Sequence, residues 1–394
     1  MRTIRFGIIG CGLMGREFAS AAARWMHLRD MTARPEIVAV CDSDAAAMDW
    51  YADHLTSVRQ KTTDHRALLA NDEVEAIYCA VPHVLHGDIY PEILASGKHL
   101  LGEKPFGMDR AQNDAITAAL GRPGQLVRCS SEMPFFPGAQ KVVEFVRSGA
   151  VGEILEVECA FLHSSDINPG KAINWKRKVD VNGAYGCMGD LGMHVAHVPL
   201  RLGWRPARVH ASLVKRVSSR PDADGAPVPC ETWDNATITG TVGTGASAFP
   251  LVLKTWRIAP GESNTWSLRV LGMTGSAEFT TKSPRRWRFM RYEPGGRQCW
   301  QTEDLGYQSL FPTITGPIFE FGFTDAILQM WAAFVDELTG GDANGFPCAT
   351  PQEAAQHHAI LTAALASGTT EQVVDVDYAD GGEPEPASPR GAAS

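Results

Sequence analysis

The sequence has no paired cysteines. Its nine cysteines are scattered singly through 394 residues with no C-x-x-C, which argues against both a disulfide framework and a zinc ribbon. It also has no surplus of positive charge. Lys and Arg number 36 against 45 Asp and Glu, for a net charge of −9, and this argues against nucleic acid as a partner. No apolar run approaches the ~20 residues that span a bilayer, so no membrane partner is expected. The N-terminal stretch shows no h-region or cleavage site of a signal peptide. These absences together predict a cytoplasmic location with reduced, buried thiols. The length predicts two domains rather than one.

What is present begins at the first residues. Ile4 to Ile9 form a short apolar run of the kind a buried parallel strand has. It breaks at once into G-x-G-x-x-G, made by Gly10, Gly12 and Gly15. The first glycine permits a tight turn, the second lets backbone approach a diphosphate, and the third lets the next helix pack closely on the strand. An Ala-rich helix from about Gly15 to Met26 then points its N-terminal amides at that diphosphate. A second strand, Glu36 to Cys41, ends in Asp42. An acid there bonds both hydroxyls of an adenosine ribose and repels a 2′-phosphate, which predicts NAD as the cofactor. The spacing exceeds the usual ~20 residues; His27 to Arg34 reads as an insertion.

Strand and helix go on alternating. Helices are predicted over Ser43 to Leu55, Asp64 to Leu69, Asp88 to Ser96 and Arg110 to Leu120. Strands are predicted over Ala76 to Val81, Lys98 to Gly102 and Leu126 to Cys129. This is an α/β Rossmann pattern, a parallel doubly wound sheet, whose ligand lies at the carboxyl ends of the strands. The expected cofactor contacts are therefore Gly10, Gly12, Leu13, Met14, Gly15, Asp42, Pro82, His83, His86, Glu103 and Lys104.

The pattern changes near residue 130. After a helix over Gly138 to Ser148 come eight strands with few helices between them, the last predicted at Gln298 to Thr302. That implies an α+β domain with a large, mostly antiparallel open sheet. The domains are read as 1–130 and 131–379, with the late helices, Thr324 to Leu338 and Pro351 to Ser367, available to pack back on the first. The Gly, Pro, Glu, Ala and Ser of 380–394 predict a disordered tail.

Within the second domain, Gly183 to Gly203 holds Asp190 and His194. Four residues apart, they share one helix face at ~5–6 Å. Gly186 and Gly189 would let another group come close. Without functional content, Asp190 would cap a helix and His194 would be a satisfied core histidine. The pairs His83/His86 and His194/His197 have no Cys or acid cluster to complete a zinc site, so no metal is expected.

Gly10-Cys11-Gly12-Leu13-Met14-Gly15, Glu103-Lys104-Pro105 and Asp190-x-x-x-His194 together resemble the glucose–fructose oxidoreductase / inositol dehydrogenase / MocA family, in order and rough spacing, over about residues 3 to 370. The resemblance implies a Rossmann domain plus an open sheet used for assembly, here a homodimer or homotetramer. It implies that Lys104 lies between nicotinamide and substrate, that Asp190 bonds substrate hydroxyls, that His194 is the catalytic base, and that the Lys104–Pro105 peptide is cis. His83 departs from the family, where Asn usually follows the proline.

The residue types fit alcohol oxidation independently of the resemblance. An imidazole can take the hydroxyl proton, and a lysine can stabilise the developing alkoxide. The loop Ser164 to Lys178 offers Asn174, Trp175, Lys176, Arg177 and Lys178 as donors, stacking face and positive charge. With Tyr185 and Asp190 they form the expected substrate contacts, suited to a sugar bearing an anionic group; the alternative is a solvated basic loop or a subunit contact. The expected activity is an NAD-dependent oxidoreductase acting on a secondary hydroxyl of a sugar, glycoside or cyclic polyol, an anionic pyranoside being the narrower expectation. The alternative is a glycosidase that oxidises, eliminates, adds water and reduces again, with Tyr185, His163 or Asp166 serving the extra step.

Overall fold

The structure is a computed structural model that describes residues 1–306, 308–318 and 321–378. The expected tail 380–394 lies outside them. The chain divides into two compact units. The first is Met1–Phe135 with Tyr307–Ala354, and the second is Phe136–Gly306 with the chain from Ala355.

The first unit alternates β1 (Arg2–Ile9), α1 (Leu13–Ala23), β2 (Ala33–Cys41), α2 (Asp49–His54), β3 (Gln60–Thr62), α3 (His65–Leu69), β4 (Ala76–Cys79), α4 (His86–Ser96), β5 (His99–Gly102), α5 (Arg110–Ala118) and β6 (Val127–Cys129). The six strands lie parallel in the order β3-β2-β1-β4-β5-β6. This is the doubly wound order, with its switch point between β1 and β4. Sequence periodicity missed the three-residue β3, and one expected helix splits into a turn over Ala45–Met48 followed by α2. Strand β2 begins at Ala33, so the extra residues after α1 are chiefly a turn at Trp25–His27. The Trp25 indole closes it by donating to the Ala33 carbonyl at 2.9 Å.

The second unit opens with α6 (Pro137–Arg147), β7 (Ile154–His163), α7 (Val179–Asn182), α8 (Cys187–Arg201) and β8 (Pro206–Val214). A short hairpin follows, β9 (Ser219–Pro221) and β10 (Pro227–Pro229). Then come β11 (Asn235–Val242), β12 (Phe249–Trp256), β13 (Asn264–Gly272), β14 (Gly275–Thr280), β15 (Arg286–Arg291) and β16 (Gln301–Asp304). The chain continues through α9 (Phe323–Leu338), α10 (Pro351–Thr370) and β17 (Val374–Asp375). Nine strands form one sheet in the order β16-β15-β14-β13-β7-β12-β11-β8-β17. All neighbours are antiparallel except β7 and β12. Strand β16 starts three residues later than expected.

Period-two alternation puts Val157, Cys159 and Phe161 of β7 and Leu251 and Leu253 of β12 on the buried face. Helix α8 packs there against β7, β11 and β12, and α6 against β13, β14 and β15. In the first unit the core rings of Phe6 and Trp331 lie 5.3 Å apart and those of Phe18 and Tyr78 4.7 Å. Burial of each such side chain contributes roughly 1.5–3 kcal/mol. Trp331 belongs to α9, so this helix, late in sequence, completes the core of the first unit.

Candidate active site

In the first unit the glycine turn sits at the carboxyl end of β1. Gly10 has φ +97°, and a side chain there would strike the Ala80 carbonyl at 2.4 Å. At Gly15 an added Cβ would lie 2.3 Å from the Gly10 carbonyl oxygen. Gly12 differs: nothing lies within 4 Å of a Cβ built on it. Two glycines are thus dictated by packing, and the third borders open space at the N-terminus of α1, where the first-turn amides of Leu13 and Met14 have no partner within the helix. That arrangement fits a diphosphate. Asp42, at the end of β2, accepts from the Cys11 amide at 2.7 Å through Oδ2 and from the Asp44 amide at 2.9 Å through Oδ1. Each oxygen retains a lone pair for a ribose hydroxyl. The residues present therefore fit a dinucleotide.

Beyond β4, His83 is buried in a short turn. His86 opens α4, and its ring bridges two loops. Nδ1 accepts from the Gly107 amide at 3.4 Å, and Nε2 lies 3.1 Å from the Val81 carbonyl, which sets Nε2 as the protonated nitrogen. The ring stacks on Tyr90 at 4.6 Å. After β5, Glu103 accepts from the Tyr78 hydroxyl at 2.7 Å, and the Tyr90 hydroxyl donates to its carbonyl at 2.9 Å. The Lys104–Pro105 peptide is cis, and Phe106 and Gly107 follow with φ +65° and +116°. Lys104 is half-buried. Glu132, just past β6, is buried; its carboxyl is pushed up to about 7 by burial and by the charge of Glu103, against an opposing pull from Lys104.

In the second unit α8 is capped by Gly186, whose φ is +57° and where a side chain would meet the Trp233 amide at 2.7 Å. Asp190 is the fourth residue of the helix rather than its cap, and it is 1% exposed. Its Oδ1 lies 3.0 Å from Lys176 Nζ, and its Oδ2 pairs with the Arg257 guanidinium. His194, one turn on, is buried with its ring edge-on to Phe161 at 5.2 Å. The Trp266 indole donates to the His194 carbonyl at 2.8 Å. Gly189 needs no special approach, its nearest neighbour being Tyr185 at 3.4 Å. Gly192 does, because a Cβ there would lie 2.4 Å from His357 Nε2.

The loop before α8 separates into two kinds of residue. Asn174 Oδ1 accepts from the Lys176 amide at 3.0 Å and starts the turn Trp175–Arg177. Lys176 lies 5.5 Å from the Trp175 ring and keeps about a third of its side chain exposed; Lys178 is exposed. Arg177 does not face solvent. Its guanidinium is buried, 2.7 Å from Asp166 and 2.7 Å from Asp234. Of the residues considered for an extra acid–base step, Asp166 is held by Arg177 and by Lys171 at 3.1 Å. The Tyr185 hydroxyl lies 2.7 Å from that of Thr362. His163 has its ring 4.5 Å from that of Phe161. His197 is tied to Arg201 at 3.1 Å. Among the described residues no three His, Cys, Asp or Glu side chains are grouped to hold a metal ion, and no helix is long and apolar enough to cross a membrane.

A family model described as an oxidoreductase family with an NAD-binding Rossmann fold matches residues 4–130, and that of the GFO/IDH/MocA C-terminal domain matches residues 139–278. The chain belongs to the GFO/IDH/MocA family. A levoglucosan dehydrogenase from Pseudarthrobacter phenanthrenivorans is 24% identical over 228 residues, covering 57% of each chain. A dTDP-3,4-didehydro-2,6-dideoxy-alpha-D-glucose 3-reductase from Actinomadura kijaniata is 28% identical over 194 residues, 48% of this chain and 53% of that one. The chain thus spans a little over half the length of the curated relatives it matches. The solved structure of a levoglucosan dehydrogenase in complex with NADH superposes with a TM-score of 0.84 at 20% identity, covering 95% of this chain and 100% of that one; it shares the fold.

Three residues of this GFO/IDH/MocA protein escaped sequence reasoning. Arg257 follows β12 in Lys-Thr-Trp-Arg, Glu132 follows Ser-Ser, and His357 lies within α10. None sits in a motif. Each gains its neighbours only when distant elements meet.

Proposed function

We propose that this protein is an NAD-dependent oxidoreductase acting on a secondary hydroxyl of a sugar, glycoside or cyclic polyol. The observation that carries the reading is the buried pair Asp190 and His194, one turn apart on α8, in a chain whose first unit is an NAD-binding Rossmann fold. The named activities of the relatives, a levoglucosan dehydrogenase and a sugar 3-reductase, support it. When bound, NAD supplies the acceptor for the hydride leaving the carbinol carbon. His194 is assigned the hydroxyl proton, since imidazole as a residue type titrates near neutrality. Lys104 is assigned the developing alkoxide. Asp190 orients the sugar side, with Lys176 bound to it. Asp42 favours NAD over NADP because its carboxylate would repel a 2′-phosphate.

A narrower substrate class is supported by charge. Lys171, Lys176, Arg177 and Arg257 pair with Asp166, Asp190 and Asp234, and of the cations on Asp190 it is Lys176 that keeps about a third of its side chain exposed. That accessible ammonium favours a sugar with a carboxylate or sulfonate, held at Lys176. Assembly as a homodimer or homotetramer is expected through the sheet face bearing Glu158, His210, Ser212, Thr239 and Arg269, and light scattering reads it directly.

The deciding experiment incubates the protein with NAD and a panel containing levoglucosan, inositol, neutral glycosides and glycosides bearing a carboxylate or sulfonate. NADH formation on at least one member is expected. No NADH and no oxidised sugar on any of them would reject the reading.

A further inference from the structure

Buried charge in the second unit is concentrated around Arg257, a residue with no assigned part in the chemistry. It stands immediately after β12, its amide donating to Asn235 Oδ1 at 3.1 Å. One guanidinium nitrogen pairs with Asp190 Oδ2. The other lies 3.7 Å from Asp166 Oδ2 and donates to Ser165 Oγ at 3.5 Å. The three members of the trio differ in access: the Asp190 side chain is 1% exposed, Arg257 8% and Lys176 32%.

A buried carboxylate needs compensating partners. If Lys176 were the only one, its flexible stem and point charge would be drawn inward and neutralised. Arg257 is a planar fork that stays charged and holds a fixed geometry. With both, Asp190 is held from the buried side by a rigid fork and from the accessible side by Lys176. We infer that Arg257 is a positioning residue for the oxidation: it anchors Asp190 from the buried side, so that Lys176 presents its ammonium to an oxygen or anionic group of the sugar. This rests on the reading of the second unit as the sugar-binding side.

The test compares Arg257→Met, Arg257→Lys, Asp190→Asn and the double variant Arg257→Met/Asp190→Asn, each as full-length protein loaded with NAD. Truncating one partner of a buried charge pair costs enough to predict a fall in kcat/KM of about 10²-fold or more for Arg257→Met. NAD affinity should be unchanged, Arg257→Lys should recover part of the loss, and added guanidinium should restore turnover to Arg257→Met. If Arg257 acts through Asp190, the double variant is no worse than the poorer single. Losses that multiply in the double variant, or a matching loss of NAD affinity with no rescue, would overturn the inference. The same cycle read as urea midpoints needs no substrate. If the wild type oxidises no sugar, the functional reading fails by itself. Non-additive midpoints then still uphold the Arg257–Asp190 link, and additive ones reject it.

Discussion

Lys176 Nζ lies 3.0 Å from Asp190 Oδ1, so the carboxylate one turn before His194 has a partner from its own unit. Of Asp190 and its two cationic partners, Lys176 is the most accessible, with 32% of its side chain exposed against 8% for Arg257 and 1% for Asp190. Two adjacent cations of one loop therefore do different work. Lys176 keeps about a third of its side chain exposed. Arg177 turns inward to Asp166 and Asp234.

This separation is testable. Arg177→Met should lower stability by about 3–5 kcal/mol, the cost of leaving buried carboxylates without their partner, and urea unfolding reads it. Lys176→Met should cost less, because Lys176 is part-exposed and Asp190 keeps its buried partner Arg257, while raising KM for an anionic sugar. The reverse pattern would exchange the two roles.

Asp42→Ala should narrow the preference for NAD over NADP. Removing the carboxylate removes its repulsion of a 2′-phosphate, but it also removes the acceptor of the Cys11 amide, so NAD binding should weaken as well. Titrating both cofactors against wild type and variant checks this, and a wild-type protein that binds NADP as tightly as NAD would refute the assignment.

His194→Ala should reduce kcat by about 10²–10⁴-fold, the usual contribution of a general base, with NAD affinity retained. Lys104→Ala should also lower kcat strongly. A correctly folded His194→Ala protein with near-normal turnover would remove His194 from the mechanism.

Glu132 predicts a pH dependence of stability. Its carboxyl titrates at about 7 in the folded chain against an ordinary 4.5. Between those values the folded protein holds a proton that the unfolded chain has released, so stability falls as pH rises through this window and levels off above about 7. The loss is roughly 3 kcal/mol at most. Glu132→Gln should abolish this component of the slope in urea midpoints measured from pH 4.5 to 7, and identical slopes for the two proteins would contradict the prediction.

Net NADH should accompany sugar consumption. The glycosidase alternative needs an additional base, and two of the three residues considered for it, Asp166 and Tyr185, are bonded to Arg177 and Thr362. Aglycone release without net NADH, with solvent deuterium at C2 of the product, would establish the redox-cycling reaction instead.

The sequence by itself determined the parts built from local pattern. A buried strand running into G-x-G-x-x-G, the acid ending the next strand, E-K-P after β5 and D-x-x-x-H at helical spacing were all legible because each is a few residues long and tied to one backbone geometry. The alternation of strand and helix, giving way to strands in a run, carried both sheets. Only the tertiary structure decided which charges face each other. Arg177 and Lys176 are neighbours in sequence with the same formal charge, and nothing local separates them; the turn begun by Asn174 sends one inward and leaves the other at the surface. Arg257 meets Asp190 across 67 positions of chain because β12 lies beneath α8. Likewise α9, read as a helix of the second domain or one packing back, supplies Trp331 to the core of the first unit. Such pairings depend on how sheets and helices stack, and a buried charge is held by whichever partner that stacking brings to it.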